Sequence, residues 1–181
     1  MISFLKGFLY ALRGVAECIC SERNMRVHIV ISLYVLYFCQ YYKFSVTRYA
    51  LLIAVIAFVM ALELMNTAVE RACDAITKDK HPFIKLAKDA AAGAVLVGAV
   101  ASAVIGVLMF WDTDVLWTIV SSLCYSPEEL TIFILTLLAS TVFVVVGPRE
   151  LVDSIKTMVE LKKELENDDK EIKNKNEDGN K

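Results

Sequence analysis

The stretch "ALELMNTAVERACDAI", residues 61–76, decides how this sequence is read. It continues, without a glycine or proline, an apolar run that begins near Thr47. Into that texture come Glu63, Asn66, Glu70 and Asp74. At 100° per residue Glu63, Thr67, Glu70 and Asp74 fall within about 60° of one another, with Asn66 beside them. At 1.5 Å per residue, Glu63 lies about 24 Å along a helix from Thr47, against a hydrocarbon core about 30 Å thick. Glu63 is thus expected just inside the far membrane boundary, and the rest of the stripe in headgroups and water. Ionisable groups at such depth are costly and face a partner or a wet cavity. Three readings fit: a structural hydrogen-bond ladder, a cation or proton path, or a catalytic site with one carboxylate as base and another as metal ligand.

The rest of the chain supplies the membrane. Hydrophobic residues make up 57% of the 181, above the roughly 45–50% of soluble domains, and they come in blocks. The expected fold is an all-α integral membrane protein. Residues 3–21 suit an amphipathic surface helix, with Phe4, Leu5, Phe8, Leu9 and Leu12 on one side and Lys6, Tyr10, Arg13 and Glu17 largely on the other. Spans are expected at 27–44, at 47 onward with helix to about 76, at 86–111, and, as an extra fourth, at 128–147, stopped by Gly147-Pro148. Ala94, Gly98, Ser102 and Gly106 recur every four residues, a small-residue ridge that lets another helix approach closely. Residues 149–163 could form a surface helix, and the mixed-charge end 166–181 cannot bury a core. The expected division is 1–111, a membrane domain; 112–148, a loop and the extra span; and 149–181, a charged tail.

Lysine and arginine set the orientation. Lys6, Arg13, Arg23 and Arg26 precede the first span; Arg71, Lys78, Lys80, Lys85 and Lys88 lie in 71–88; the loop 111–127 has none. Both termini and the acidic stripe are therefore expected on the cytoplasmic face. Net charge is −2, which points to no nucleic-acid partner. The five cysteines are scattered without a Cys-x-x-Cys pair and read as packing residues rather than a disulfide framework or zinc site. His28 and His81, without a thiolate partner, do not suggest a transition-metal site. No P-loop or Gly-rich dinucleotide motif is present.

Two further polar clusters fall at the depth of the stripe. One is "CSERNMRVH", 20–28; the other is "KDKHPFIKLAKDAAAG", 78–93. Carboxylates for Mg²⁺, cations for phosphate oxygens and a base near a lipid hydroxyl would suit polyphosphate chemistry. In detail, "ELMNTAVERACD" (63–74) and "HP…AKDAAAGAVL" (81–96) resemble the signature of the small prokaryotic diacylglycerol kinase family, and "SERNMRVH" (21–28) is similar to its Gram-positive branch, which phosphorylates undecaprenol. The likeness covers about residues 2–111.

The resemblance implies a homotrimer of three-span subunits with a surface helix, sited in the bacterial cytoplasmic membrane. Its active sites would lie between subunits at the cytoplasmic interface. It implies γ-phosphoryl transfer from Mg·ATP to a lipid alcohol: undecaprenol here, with diacylglycerol as the alternative. Glu63 matches the catalytic carboxylate that accepts the lipid hydroxyl proton, a role that partial desolvation at the membrane edge favours. Asn66 matches an amide that positions it. Glu22 and Glu70 match the glutamates that hold Mg²⁺ and its nucleotide. Tyr10 falls on a nucleotide-contacting position, as do Asp79, Lys80 and His81, of which His81 is the side-chain match. Lys88 and Asp89 match the pair at the phosphates. The chain departs from the pattern in its fourth span and tail, and in Ser3, where some members carry an arginine. The rival of another class is a small cation transporter or channel, which requires polar groups deep in the other spans; those spans offer little beyond Ser32, Gln40, Ser102 and a few Thr and Ser.

Overall fold

The computed structural model of the protein describes residues 2–77, 79 and 81–157, with side chains from residue 4. Ser3, Lys78, Lys80 and the charged stretch 158–181 therefore lie outside the described side chains. Among the described residues every regular element is helical. Two compact units, 1–145 and 146–181, make up the chain.

The first unit holds six helices: α1 (Ile2–Ser21), α2 (Arg23–Phe38), α3 (Val46–Ile76), α4 (Pro82–Phe110), α5 (Thr113–Tyr125) and α6 (Pro127–Val145). Their ends follow local chemistry. Ser45 accepts from the Arg48 amide to start α3, and Asp112 accepts from the Asp114 and Val115 amides to start α5. Proline occupies the first turn of α4, where its missing N–H costs nothing. Gly147, at φ 80°, is followed by Pro148 beyond the end of α6, a common helix stop. In the second unit, residues 147–157 are helical.

Among the described residues three helices are long and apolar enough to cross a membrane: α3, α4 and α6. The span expected at 27–44 differs. It forms earlier, as the 16-residue α2, about 24 Å long, and tightens into a 3₁₀ turn over Cys39–Tyr41. Its first turn carries Arg23, Asn24 and Arg26, so it joins the polar end of the molecule instead of beginning after it. The loop expected over 111–127 is largely helix α5. Its apolar positions Val115, Leu116, Ile119, Val120 and Leu123 have helical spacing, and Ile119 is buried.

α3 lies along α4, and α2 sits between α3 and α6. Of the small-residue ridge, Gly98 has the tight contact: a Cβ there would collide with Leu62 Cδ1, whereas one at Gly106 would meet nothing within 4 Å. The Leu62 side chain of α3 thus fills the space that a side chain at Gly98 of α4 would take. α6 runs against α2 through Tyr34 and Ser140, whose hydroxyls are 3.2 Å apart. Phe133 packs there against Tyr34 and Phe38. At the far end, Tyr42 donates to the Phe110 carbonyl at 2.9 Å, and its ring stacks edge-on against Phe110.

Overpacking a tight interface costs about 1–3 kcal/mol. Gly98→Val should lower the thermal unfolding midpoint of the detergent-solubilised protein by several degrees, whereas Gly106→Ala should leave it unchanged. Equal effects would mean that Leu62 does not fill the space at Gly98.

Candidate active site

The acidic stripe of α3 runs from buried to exposed. Glu63 is 2% exposed and Thr67 is 5% exposed; Asn66 and Glu70 are half-buried, and Asp74 is exposed. The gradient follows the helix out of the bundle, as the spacing predicts. Residues from α1 and the start of α2 close over its buried end.

Glu22 is the single residue between α1 and α2, in extended conformation. Its carboxylate accepts from Ser21 Oγ at 2.9 Å. Ser21 in turn accepts from Arg71 Nη2 at 2.8 Å, and Arg71 also lies 3.7 Å from Glu17. A chain of three donors and acceptors thus ties α3 to the α1–α2 break. Deeper in, Thr67 donates to the Glu63 carbonyl at 3.0 Å. That bond uses its one hydroxyl hydrogen, so the Cys18 thiol, 3.3 Å away, is the donor between them. Burial pushes the Cys18 thiol up, partly opposed by the Thr67 hydrogen bond, with the Glu22 and Glu63 carboxylates adding to the rise. It stays a neutral packing group.

Glu63 therefore sits beneath Glu22 and beside Glu70, within electrostatic reach of both carboxylates and of the Asn24 amide. Asn66 donates to Glu70 Oε1 at 3.1 Å. Two buried polar atoms on this stripe, Glu63 Oε1 and Asn66 Oδ1, have no hydrogen-bond partner. Leaving such groups unsatisfied costs about 1–3 kcal/mol each, more when charged. Such atoms call for a partner, and a bound ion, water or substrate would supply one.

A second group lies on the α3–α4 connection. Lys88 pairs with Asp74 at 2.5 Å. Around them His81, Lys85 and Asp89, with Thr77 and Asp79, line an open cleft of about 640 Å³. Lys88 is also within electrostatic reach of Glu70, which connects the cleft to the carboxylates. Asp74 of the stripe is the counter-ion of Lys88.

Glu22, Glu63, Asn66 and Glu70 are thus brought together, and His81, Lys88 and Asp89 share the neighbouring cleft. Tyr10 does not join either group within the chain. It is 69% exposed, about 18 Å along the α1 helical path from Glu22. The sequence reading missed the Arg71–Ser21–Glu22 chain and the Cys18–Thr67 contact. An arginine one residue past Glu70 was the only available signal for the first, and nothing in the spacing announced the second.

A profile of the prokaryotic diacylglycerol kinase family matches residues 9–110. The chain belongs to that family, a family of prokaryotic lipid kinases. An undecaprenol kinase of Bacillus subtilis (strain 168) is 42% identical over 107 residues, which are 59% of this chain and 87% of that protein. A diacylglycerol kinase of Synechocystis sp. is 35% identical over 105 residues, 58% of this chain and 60% of that protein. The diacylglycerol kinase of Escherichia coli (strain K12) is 27% identical over 109 residues, 60% of this chain and 88% of that protein. The family match ends with α4, so α5 and α6 lie beyond it.

Thiol accessibility checks the burial around Glu63. Cys124 is exposed, while Cys18, Cys39 and Cys73 are buried. A maleimide added to the folded protein in detergent should modify Cys124 within minutes and Cys18 only after denaturation. Rapid labelling of Cys18 would mean that α1 does not close over α3.

Proposed function

We propose that this protein transfers the γ-phosphoryl group of Mg·ATP to undecaprenol, giving undecaprenyl phosphate and ADP. The observation that carries the proposal is the open oxygen of the buried Glu63 carboxylate, set against Glu22 and Glu70. The acceptor follows the 42% identical relative named for undecaprenol. Diacylglycerol is the second reading, favoured by the relatives named for that substrate at 35% and 27% identity.

Glu63 takes the proton of the lipid hydroxyl. The lipid oxygen then forms a bond to the γ-phosphorus, and the bond to the bridging oxygen of ADP breaks. Asn66 orients the stripe around that carboxylate. Little covalent participation is asked of the protein, because phosphoryl transfer is accelerated mainly by alignment and charge neutralisation. Lys88, held by Asp74, supplies a cation to the phosphate oxygens, while His81 and Asp89 face the nucleotide in the cleft. Tyr10 contributes to the nucleotide site from α1.

The donor set fits magnesium. Mg²⁺ keeps several waters and takes one or two carboxylates plus substrate phosphates. Glu22 and Glu70 would hold it, each with one oxygen engaged by a neighbour and the other open to a cation. Two carboxylates would leave the rest of the shell to water and substrate phosphates. When bound there, Mg²⁺ would supply charge neutralisation to the nucleotide phosphates.

Residues 1–111 form the kinase membrane domain, with 112–148 and 149–181 as additions. α1 lies in the interface with its Phe and Leu face toward lipid; the exposure of Phe4, Phe8 and Leu12 supports this. The site and both termini face the cytoplasm of a bacterial cell, and the subunits assemble as a homotrimer. A cation path is less well supported. The buried charged residues among those described, Glu63 and Arg26, both belong to the end of the bundle near the α1–α2 break, not to a line across it.

Glu63→Gln should lower turnover by orders of magnitude while the protein stays folded and still binds Mg·ATP. Wild-type turnover in that variant would remove Glu63 from the role of base.

A further inference from the structure

Arg26 is a buried cation, 7% exposed, and its partners are main-chain carbonyls rather than a carboxylate among the described residues. Nη1 donates to the Ile19 carbonyl at 3.2 Å and the Cys20 carbonyl at 3.1 Å. Nε donates to the Val144 carbonyl at 3.2 Å. Ile19 and Cys20 lie in the last turn of α1, and Val144 lies in the last turn of α6. The last four carbonyls of a helix have no intrahelical donor and carry the negative end of its dipole. One guanidinium therefore satisfies orphan acceptors on two helix ends at once. Two opposed dipole ends supply the electrostatic compensation that a buried charge needs.

The geometry has a consequence for Glu22. That residue is the elbow between α1 and α2, without a side-chain cap on α2. Its amide donates to Cys18 and its carbonyl accepts weakly from the Arg26 amide, at 2.8 and 3.4 Å. The guanidinium grips the residues just before the elbow, and with the Arg71–Ser21 tie to α3 it shares in fixing the elbow. A planar guanidinium has its donors in a fixed fork, so the direction of Nη1 toward α1 and that of Nε toward α6 cannot vary independently. α6 is itself seated on α2 by the Tyr34–Ser140 contact.

We propose that Arg26 is a positioning residue that couples α6, the helix outside the family match, to the placement of Glu22. α6 is then a working part of the nucleotide end of the site, not an inert addition. The proposal rests on the assignment of Glu22 to Mg·ATP made above.

The test uses the full-length protein in mixed micelles with Arg26→Lys, Arg26→Gln and Ser140→Ala. Arg26→Lys keeps the charge and loses the fork; Ser140→Ala loosens α6 without touching Arg26 or Glu22. Loss of a group that orients a metal ligand typically costs about 10–100-fold, so both Arg26 variants should raise the KM for Mg·ATP by about tenfold or more, with the KM for the lipid unchanged. Ser140→Ala should move the same constant in the same direction, by less. In hydrogen–deuterium exchange, amides of 19–26 should exchange faster in all three variants. An elbow unchanged by Ser140→Ala, or an Mg·ATP KM unmoved by Arg26→Lys, overturns the coupling. If Arg26→Gln fails to fold, the other two variants decide. If the wild type does not use ATP yet Ser140→Ala still loosens 19–26, the coupling stands and the kinase proposal falls instead.

Discussion

A carboxylate at 2% exposure with one oxygen unpartnered, Glu63, is the constraint around which the described structure is arranged. Burying such a group is unfavourable unless something compensates it. Here the compensation is incomplete within the chain: the Asn24 amide is near, and so are two further carboxylates, Glu22 and Glu70. The surroundings hold the group in place without neutralising it. Thr67 and Cys18 fix the α3 backbone at Glu63, and Gly98 lets α4 come close behind Leu62. A site that concentrates negative charge in this way is suited to receive cations and a proton, which is what metal-assisted phosphoryl transfer from a nucleotide brings.

The same logic bears on how the two proposed substrates would meet. α3 is 31 residues long, about 46 Å, and exceeds the hydrocarbon thickness by several turns. Glu63 lies at the buried end of the stripe and Asp74 at its exposed end, where it pairs with Lys88 across the connection to α4. In the proposed reaction a hydrophobic alcohol and a charged nucleotide would each approach from the phase in which it dissolves.

Much of this was legible in the sequence, and the parts that were not have physical reasons. α3 was expected from 47 to 76 and runs Val46–Ile76; α4 and α6 also fall close to their expected limits. Long apolar runs with clear stops leave little freedom. The stripe was legible because helical period alone puts Glu63, Thr67, Glu70 and Asp74 on one face. The start of α2 differs because its polar first turn, Arg23 to Arg26, has the composition of a boundary, although Arg26 serves helix ends and Asn24 reaches Glu63. α5 was missed because a stretch without lysine or arginine was read as a loop, despite the Asp112 cap. The Arg26 contacts were not legible at all: their acceptors are backbone carbonyls, which carry no residue identity.

The most direct measurement is an acceptor panel. The purified wild-type protein would be supplied with Mg²⁺ and γ-labelled ATP in mixed micelles containing undecaprenol, diacylglycerol or neither. Label should pass to undecaprenol, with little transfer to diacylglycerol and none without lipid. Preferential labelling of diacylglycerol would contradict the proposed acceptor. Failure to phosphorylate either lipid would contradict the kinase assignment itself.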